Sequence, residues 1–84
     1  MPEALRTLTR TAAREWAGFG ITANVIAPGA TDTPFLRDPA RAQTLPKMPL
    51  IGRLVQPDEV AALAAFLVGP HGGAMTGQQL VMCG

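Results

Sequence analysis

Two threonines behind a proline-glycine turn are the residues of this sequence best suited to hold a ligand. Thr31 and Thr33 follow Pro28 and Gly29, which end an apolar run over residues 21–27. If that run is a strand of an open α/β sheet, the threonines lie at its carboxyl end, where backbone N–H and C=O groups face a ligand crevice. Threonine hydroxyls also cap turns by bonding nearby backbone. The pattern therefore predicts either a ligand-facing loop or a capped turn.

The other reactive side chains lack the neighbours that catalysis or metal binding needs. His71 has no second His, Asp or Cys at ligand spacing, so no metal site is expected. Cys83 has no nearby histidine, which argues against a nucleophilic thiol. Asp58 and Glu59 are adjacent, as is typical of carboxylates at a helix start rather than of an acid/base pair across a cleft. We predict no catalytic residue in this chain.

The elements that must position the threonines form the order helix, strand, loop, helix, strand. Apolar residues three and four apart predict a first helix over about 3–17, and the run over about 21–27 is typical of a strand buried on both faces. A proline-rich loop over about 28–50 leads to a second helix over about 57–68 and a strand over about 79–82. Two parallel strands joined by a helix make a right-handed crossover unit. The predicted fold class is α/β.

Each predicted helix carries an apolar stripe that we expect to pack. Trp16 lies on the first stripe, and we interpret it as a packing residue rather than a platform for a ring ligand. The second stripe is expected to face inward. The stripes consist of Leu5, Leu8, Ala12 and Trp16 in the first helix and of Val60, Leu63, Ala64 and Leu67 in the second.

The composition indicates that part of this chain's surface packs against other polypeptide. Apolar residues make up 48% of the 84 positions and charged residues only 15%, below the roughly 25% of an ordinary soluble domain. A chain of this length buries only about 60 to 65 per cent of its unfolded surface, so its own core is small. We therefore expect either that other polypeptide covers part of the surface or that the chain is poorly soluble.

Charge and cysteine content exclude several classes of function. The net charge is +1 and no run of like charges occurs, so neither nucleic acid nor an anionic membrane is an expected partner. A single cysteine allows no internal disulfide, and the N-terminus has no basic and apolar signal region. We therefore expect a cytoplasmic setting.

Four blocks of sequence, in order and in register, resemble the C-terminal third of the short-chain dehydrogenase/reductase family. The resemblance implies the last part of a Rossmann-like, doubly wound parallel sheet that binds NAD or NADP. The blocks are Leu8-Thr9-Arg10 with Ala13-Arg14-Glu15, the run from Gly20 to Gly29, Gly52-Arg53 with the run from Gln56 to Ala61, and the run from Thr76 to Leu80.

The resemblance also implies roles for the loop residues. Pro28 and Gly29 would shape the turn, Thr31 would give a backbone contact to the nicotinamide carboxamide, and Thr33 would place a hydroxyl on the carboxamide or a phosphate. Arg53 would be a scaffold residue that bonds carbonyl groups.

The loop that follows resembles the family's lid over the substrate. Its apolar residues could line a pocket or belong to an ordinary surface connection. Its two arginines could bind an anion, although a solvated surface role is the preferred interpretation. The residues concerned are Phe35, Leu36, Met48 and Leu50 for the pocket and Arg37 and Arg41 for the anion.

The family's catalytic motifs do not occur in this sequence. There is no Gly-rich dinucleotide fingerprint and no tyrosine, and the family's catalytic lysine would align with Pro2. Proline has no side-chain proton to exchange, so the acid/base machinery of hydride transfer is lacking. The leading hypothesis is the C-terminal segment of an NAD(P)-dependent oxidoreductase that is inactive as an 84-residue chain.

Two alternatives belong to other functional classes. The chain could be an interaction module that self-associates or docks on a family homologue through the second helix and last strand. Alternatively, it could be a weak dinucleotide-binding protein that uses Thr31 and Thr33. Co-purification with a longer homologue would favour the first alternative. A thermal shift with NAD or NADP that is lost in Thr31→Ala plus Thr33→Ala would favour the second.

Overall fold

The computed structural model of the protein describes residues 2–34 and 49–84. It is an α/β structure whose elements follow the predicted order. A single 3₁₀ turn, Ala17–Phe19, extends the first helix, and Gly20 ends it in the left-handed region with φ of 74°. The helices and strands are α1 (Glu3–Trp16), β1 (Val25–Pro28), α2 (Pro57–Val68) and β2 (Gln79–Met82).

The two strands form a parallel pair with α2 in the connection between them. Val25 pairs with Gln79 at one end of the pair, and Pro28 pairs with Met82 at the other. Both carboxyl ends therefore lie at the same edge of the sheet, next to the loop that carries the threonines.

The strand predicted over about 21–27 begins four residues later, at Val25. Just before it, side-chain bonds accompany a single backbone bond, in which the Gly77 N–H donates to the Ala23 carbonyl at 2.7 Å. The Asn24 amide donates from Nδ2 to the Met75 carbonyl at 2.9 Å, and its Oδ1 accepts from the Gln78 N–H at 3.1 Å. Asn24 thus ties the entrance of β1 to the entrance of β2 through its side chain, and the ladder starts only beyond it.

The buried core in the described part of the chain is small and apolar. The buried apolar residues there are Ala13, Ala30, Val55 and Leu67, and none of the buried residues is polar or charged. Leu67 comes from the predicted inward stripe of α2, whereas Ala64 from the same stripe is exposed, against the prediction.

The apolar stripe of α1 is largely open to solvent. Leu8 is 63% exposed, and Leu5 and Trp16 are also exposed. Trp16 is therefore not a residue of this chain's core. Ala13, one position beyond the predicted stripe, is the buried residue of α1, because its short side chain lies against Gly77, where an added Cβ would be 3.5 Å from the Ala13 Cβ.

The chain as a whole is extended for its length. Its accessible surface is 6064 Å², against roughly 4,800 Å² for a compact protein of this mass. Its Cα radius of gyration is 15.2 Å, against about 12 Å for a compact domain of this length. Both values exceed those of a compact domain, and large apolar side chains are exposed among the described residues.

Candidate functional site

The loop after β1 starts with a glycine that lies close to the end of β2. Gly29 continues the ladder by donating its N–H to the Met82 carbonyl at 2.8 Å. A Cβ at this position would lie 3.2 Å from the Cys83 Cα and 3.3 Å from the Cys83 Cβ. Since the strands approach so closely here, a side chain would push β2 away from the loop.

Thr31 is held by a second, isolated parallel bridge to Val55. The Val55 N–H donates to the Ala30 carbonyl, and the Asp32 N–H donates to the Val55 carbonyl, both at 2.8 Å. In a parallel bridge of this kind the flanking residues supply the bonds, so the N–H and C=O of Thr31 itself face away from Val55. The bridge presents one donor and one acceptor of Thr31 on the outer side of the loop.

The two threonine hydroxyls have different environments. The Thr31 hydroxyl donates to the Gly29 carbonyl at 2.9 Å, which is the turn-capping role considered from the sequence. The Thr33 hydroxyl makes no hydrogen bond with any residue that the structure describes, and Thr33 is partly buried. At Thr31 the hydroxyl caps the turn while the backbone groups face outward.

A bidentate ion pair secures the segment that carries Val55. The Arg53 guanidinium donates from Nη1 to Glu59 Oε1 at 2.6 Å and from Nη2 to Glu59 Oε2 at 2.9 Å. Nη1 also donates to the Leu54 carbonyl at 3.2 Å, and the Gln56 N–H donates to Glu59 Oε1 at 2.9 Å. Arg53 therefore bonds a carbonyl, as expected of a scaffold residue, and a carboxylate as well.

The same contacts shift the acidity of both partners. The hydrogen bond from Arg53, followed by that from the Gln56 N–H, lowers the pKa of Glu59 to about 2, against an opposing effect of burial and with a further contribution from the charge of Arg53. The carboxylate in turn raises the pKa of Arg53, through its hydrogen bond first and its charge second. Both groups are charged at neutral pH.

This pairing was not predicted from the sequence, although a signal for it was present. A Glu at the third position of a helix whose side chain returns to the N-terminal backbone is half of a capping box. Gln56 precedes α2 and Glu59 occupies that position. The sequence did not indicate the position of Arg53, because the turn before α2 brings its guanidinium within hydrogen-bonding distance of the Glu59 carboxylate.

The remaining candidate residues do not gather into a second reactive site within the described residues. His71 and Cys83 are both exposed. No group of three or more His, Cys, Asp or Glu that could hold a metal ion occurs in residues 2–34 and 49–84. No described helix is long and apolar enough to cross a membrane.

Part of the predicted lid cannot be placed. Phe35, Leu36, Arg37, Arg41 and Met48 lie outside the described residues. Leu50 is described and almost fully exposed.

A cavity of about 480 Å³ lies between α1 and the start of the sheet. It is at the opposite end of β1 from the threonine loop, and none of the predicted site residues lines it. Its lining residues are Arg6, Thr9, Arg10, Val25, Gly77, Gln78 and Gln79.

Comparison with known proteins shows the family to which this chain belongs. A family model described as enoyl-(acyl carrier protein) reductase matches residues 3–84. The chain belongs to the short-chain dehydrogenase/reductase family. The recognition made from the four sequence blocks is confirmed, and so is the α/β, Rossmann-like fold class.

Individual family members show how close the similarity is. A 3-alpha-hydroxysteroid dehydrogenase/carbonyl reductase of Comamonas testosteroni is 38% identical over 96% of this chain and 34% of its own length. A short chain dehydrogenase from Burkholderia cenocepacia J2315 in complex with NADP superposes with a TM-score of 0.81 at 39% identity, over 94% of this chain and 33% of that one. A 3-oxoacyl-[acyl-carrier protein] reductase with bound NAD from Brucella melitensis gives 0.77 at 32% identity, over 93% of this chain and 28% of that one.

These family members are much longer than this chain. The chain spans about a third of the length of the relatives it matches. Of the two solved relatives, one is described with NADP and the other with NAD.

Proposed function

We propose that this chain forms part of an NAD(P)-dependent oxidoreductase and contributes the loop beside the nicotinamide. The observation that carries the proposal is the bridge between Thr31 and Val55, which leaves the N–H and C=O of Thr31 facing outward at the carboxyl edge of the parallel strands. That edge is where open α/β sheets bind ligands.

The groups in the loop fit the polar end of a nicotinamide. A primary carboxamide has one acceptor oxygen and an NH₂ donor, and Thr31 offers the matching N–H and C=O from one residue. Thr33 would add its hydroxyl, while Pro28 and Gly29 would set the direction of the turn. When bound, the nicotinamide supplies or accepts the hydride; the chain's own residues bind and orient the ring.

We further propose that the 84-residue chain does not transfer hydride by itself. The sequence contains no tyrosine, and proline occupies the position that the family resemblance assigns to the catalytic lysine. Neither threonine of the proposed loop is a general acid or base, because threonine hydroxyls do not ionise near neutral pH. The two threonines contribute binding and orientation only.

A titration followed by NMR tests both halves of the proposal. Adding NADP, and separately NAD, to the isotope-labelled 84-residue chain is expected to shift the Thr31 and Thr33 amide signals more than those of α1. Thr33→Val, which replaces the hydroxyl by a methyl group, is expected to weaken binding about fivefold, the loss of one ordinary hydrogen bond.

The matched control is Thr22→Val, since Thr22 is an exposed threonine before β1, at the other end of the strand. It should bind like the unchanged chain. Absence of any cofactor-induced shift at Thr31 would refute the loop's role, and cofactor turnover by the pure chain with an alcohol or ketone would refute its inactivity.

We also propose that α2 and β2 take part in assembly, either with a second copy or with a family homologue. Val68 at the end of α2 is 87% exposed and Val81 in β2 is 60% exposed, and Phe66 is exposed as well. Contact would remove this apolar surface from water.

The exposed single thiol of Cys83 is in keeping with a reducing, cytoplasmic compartment, which is part of the same proposal.

A further inference from the structure

The Arg53–Glu59 ion pair occupies a position from which it can control the threonine loop. Arg53 and Glu59 lie on either side of Val55 in the sequence, and their bonds reach the backbone on both sides of that residue. Val55 in turn makes both bonds of the bridge to the loop. The pair and the bridge thus share one short segment, residues 53–56.

We propose that Arg53 and Glu59 are positioning residues, whose ion pair locks residues 53–56 so that Val55 keeps the backbone groups of Thr31 facing outward. The role in cofactor orientation rests on the proposed function, whereas the mechanical link between the pair and the bridge does not.

The geometry explains why two residues are needed to lock this segment. The Leu54 carbonyl accepts from Arg53 on one side of Val55, and the Gln56 N–H donates to Glu59 on the other. The bidentate contact joins these two anchors, because the guanidinium fork matches both carboxylate oxygens. Rotation of the peptide groups on either side of Val55 would break one anchor, so the direction of the Val55 N–H and C=O is restricted.

The bridge itself consists of the two backbone hydrogen bonds between residues 30–32 and Val55. It is isolated rather than part of a ladder, so it gains no stability from neighbouring rungs. Val55 is buried, with 4% of its surface exposed, so its side chain holds the segment against the core. The ion pair adds a restriction on the two peptide groups that flank Val55.

Hydrogen exchange of single amides in the full 84-residue chain tests this link without any cofactor. The Asp32 and Val55 N–H groups donate the two bridge bonds, and the Val25 and Gly29 N–H groups donate bonds between β1 and the β2 side. Glu59→Gln keeps an acceptor for the Gln56 N–H but removes the charge and one of the two oxygens that the Arg53 guanidinium contacts. It is expected to speed exchange of the two bridge amides about fivefold while the two sheet amides are unchanged.

Two further variants make the result specific. Arg53→Lys keeps the positive charge but cannot span both carboxylate oxygens, so it should give an intermediate acceleration of about twofold. Glu3→Gln removes the carboxylate of the exposed Arg6–Glu3 pair on α1, whose closest N···O distance is 3.8 Å, and should leave the bridge amides unchanged.

Comparing the exchange rates of the bridge amides with those of the sheet amides distinguishes a positioning role from a general effect on stability. Equal acceleration of bridge and sheet amides, or none at the bridge in either Arg53→Lys or Glu59→Gln, would overturn the proposal. Adding NADP to the same samples and following the Thr31 amide signal by NMR distinguishes this proposal from the proposed function. If NADP shifts Thr31 in the unchanged chain and shifts it less in Glu59→Gln, both are supported; if NADP has no effect on Thr31, only the proposed function is refuted.

Discussion

At the scale of single residues, backbone groups rather than side chains define the candidate site. The Thr31 hydroxyl is used within the turn, where it bonds the Gly29 carbonyl, while the Thr31 backbone faces outward. The sequence indicated both threonines as candidate loop residues and offered capping and ligand binding as alternatives. The structure shows capping by the Thr31 hydroxyl, and ligand binding by the loop stays a proposal.

Gly29 allows a test of how closely the loop depends on the sheet. Gly29→Ala places a Cβ about 3.2 Å from the backbone of Cys83, which cannot rotate away as a side-chain end would. We expect a loss of about 1–2 kcal/mol in the free energy of unfolding, typical of overpacking. Urea unfolding followed by the fluorescence of the single tryptophan, Trp16, measures it.

Gly18→Ala is the matched control, because a Cβ there meets no heavy atom within 4 Å. It should be neutral or slightly stabilising, since alanine loses less entropy than glycine in a helical turn. If Gly29→Ala unfolds at the same urea concentration as Gly18→Ala, the close approach of the loop to Cys83 has no energetic consequence.

At the scale of elements, the start of α2 links local helix chemistry to the site. Pro57 occupies the first turn of the helix, Asp58 and Glu59 lie near its positive end, and Glu59 accepts the Gln56 N–H. The bounds of this helix followed from such local signals. The connection to Arg53, and from Val55 to Thr31, depends on how the turn around Gly52 folds back, with φ of 81° at that glycine.

The lowered pKa of Glu59 predicts a specific acid response. Because its carboxylate is bonded in the folded chain, Glu59 contributes stability above its ordinary pKa of 4.5, and that contribution is lost as the pH falls towards about 2. The difference in melting temperature between the unchanged chain and Glu59→Gln should therefore be constant above about pH 5 and shrink below it. Thermal unfolding followed by circular dichroism across this range measures the difference.

The control for this prediction is Glu3→Gln, which also removes one carboxylate but in a loose surface pair. Its melting temperature should differ little from that of the unchanged chain at every pH. A Glu59→Gln difference that persists undiminished at pH about 2 would show that the carboxylate's ionisation is not what stabilises the start of α2.

At the scale of the whole molecule, the dominant feature is uncovered apolar surface. The chain exposes roughly 1,300 Å² more than a compact protein of its mass, which exceeds the roughly 800 Å² that each partner buries in a standard interface. Among the described residues, large exposed apolar side chains occur on α1, at the end of α2 and in β2. The low charge content of the sequence had indicated this imbalance, but not which faces would carry it.

We therefore expect association that depends on concentration and on the end of α2. Sedimentation velocity of the unchanged chain should show a growing heavier species as concentration rises. Val68→Asp should weaken association about tenfold, since it introduces a charge into the apolar contact.

Leu50→Asp is the matched control, because Leu50 is 98% exposed but lies outside α2 and β2. It should associate like the unchanged chain. A monomer at all concentrations would contradict the assembly proposal, and equal weakening by both variants would show that association is non-specific.

The sequence by itself determined the family, the α/β class and the order of the elements, and it indicated the loop that we propose as the cofactor contact. These depend on local patterns such as helical spacing, the Pro28–Gly29 break and the residues at the start of α2, which act within a few positions. The tertiary structure decided where β1 begins, which helix faces are buried, and which way Thr31 presents its backbone. Those features depend on partners far along the chain, namely Met75 and Gln78 for Asn24 and Val55 for Thr31, and no local pattern specifies such contacts.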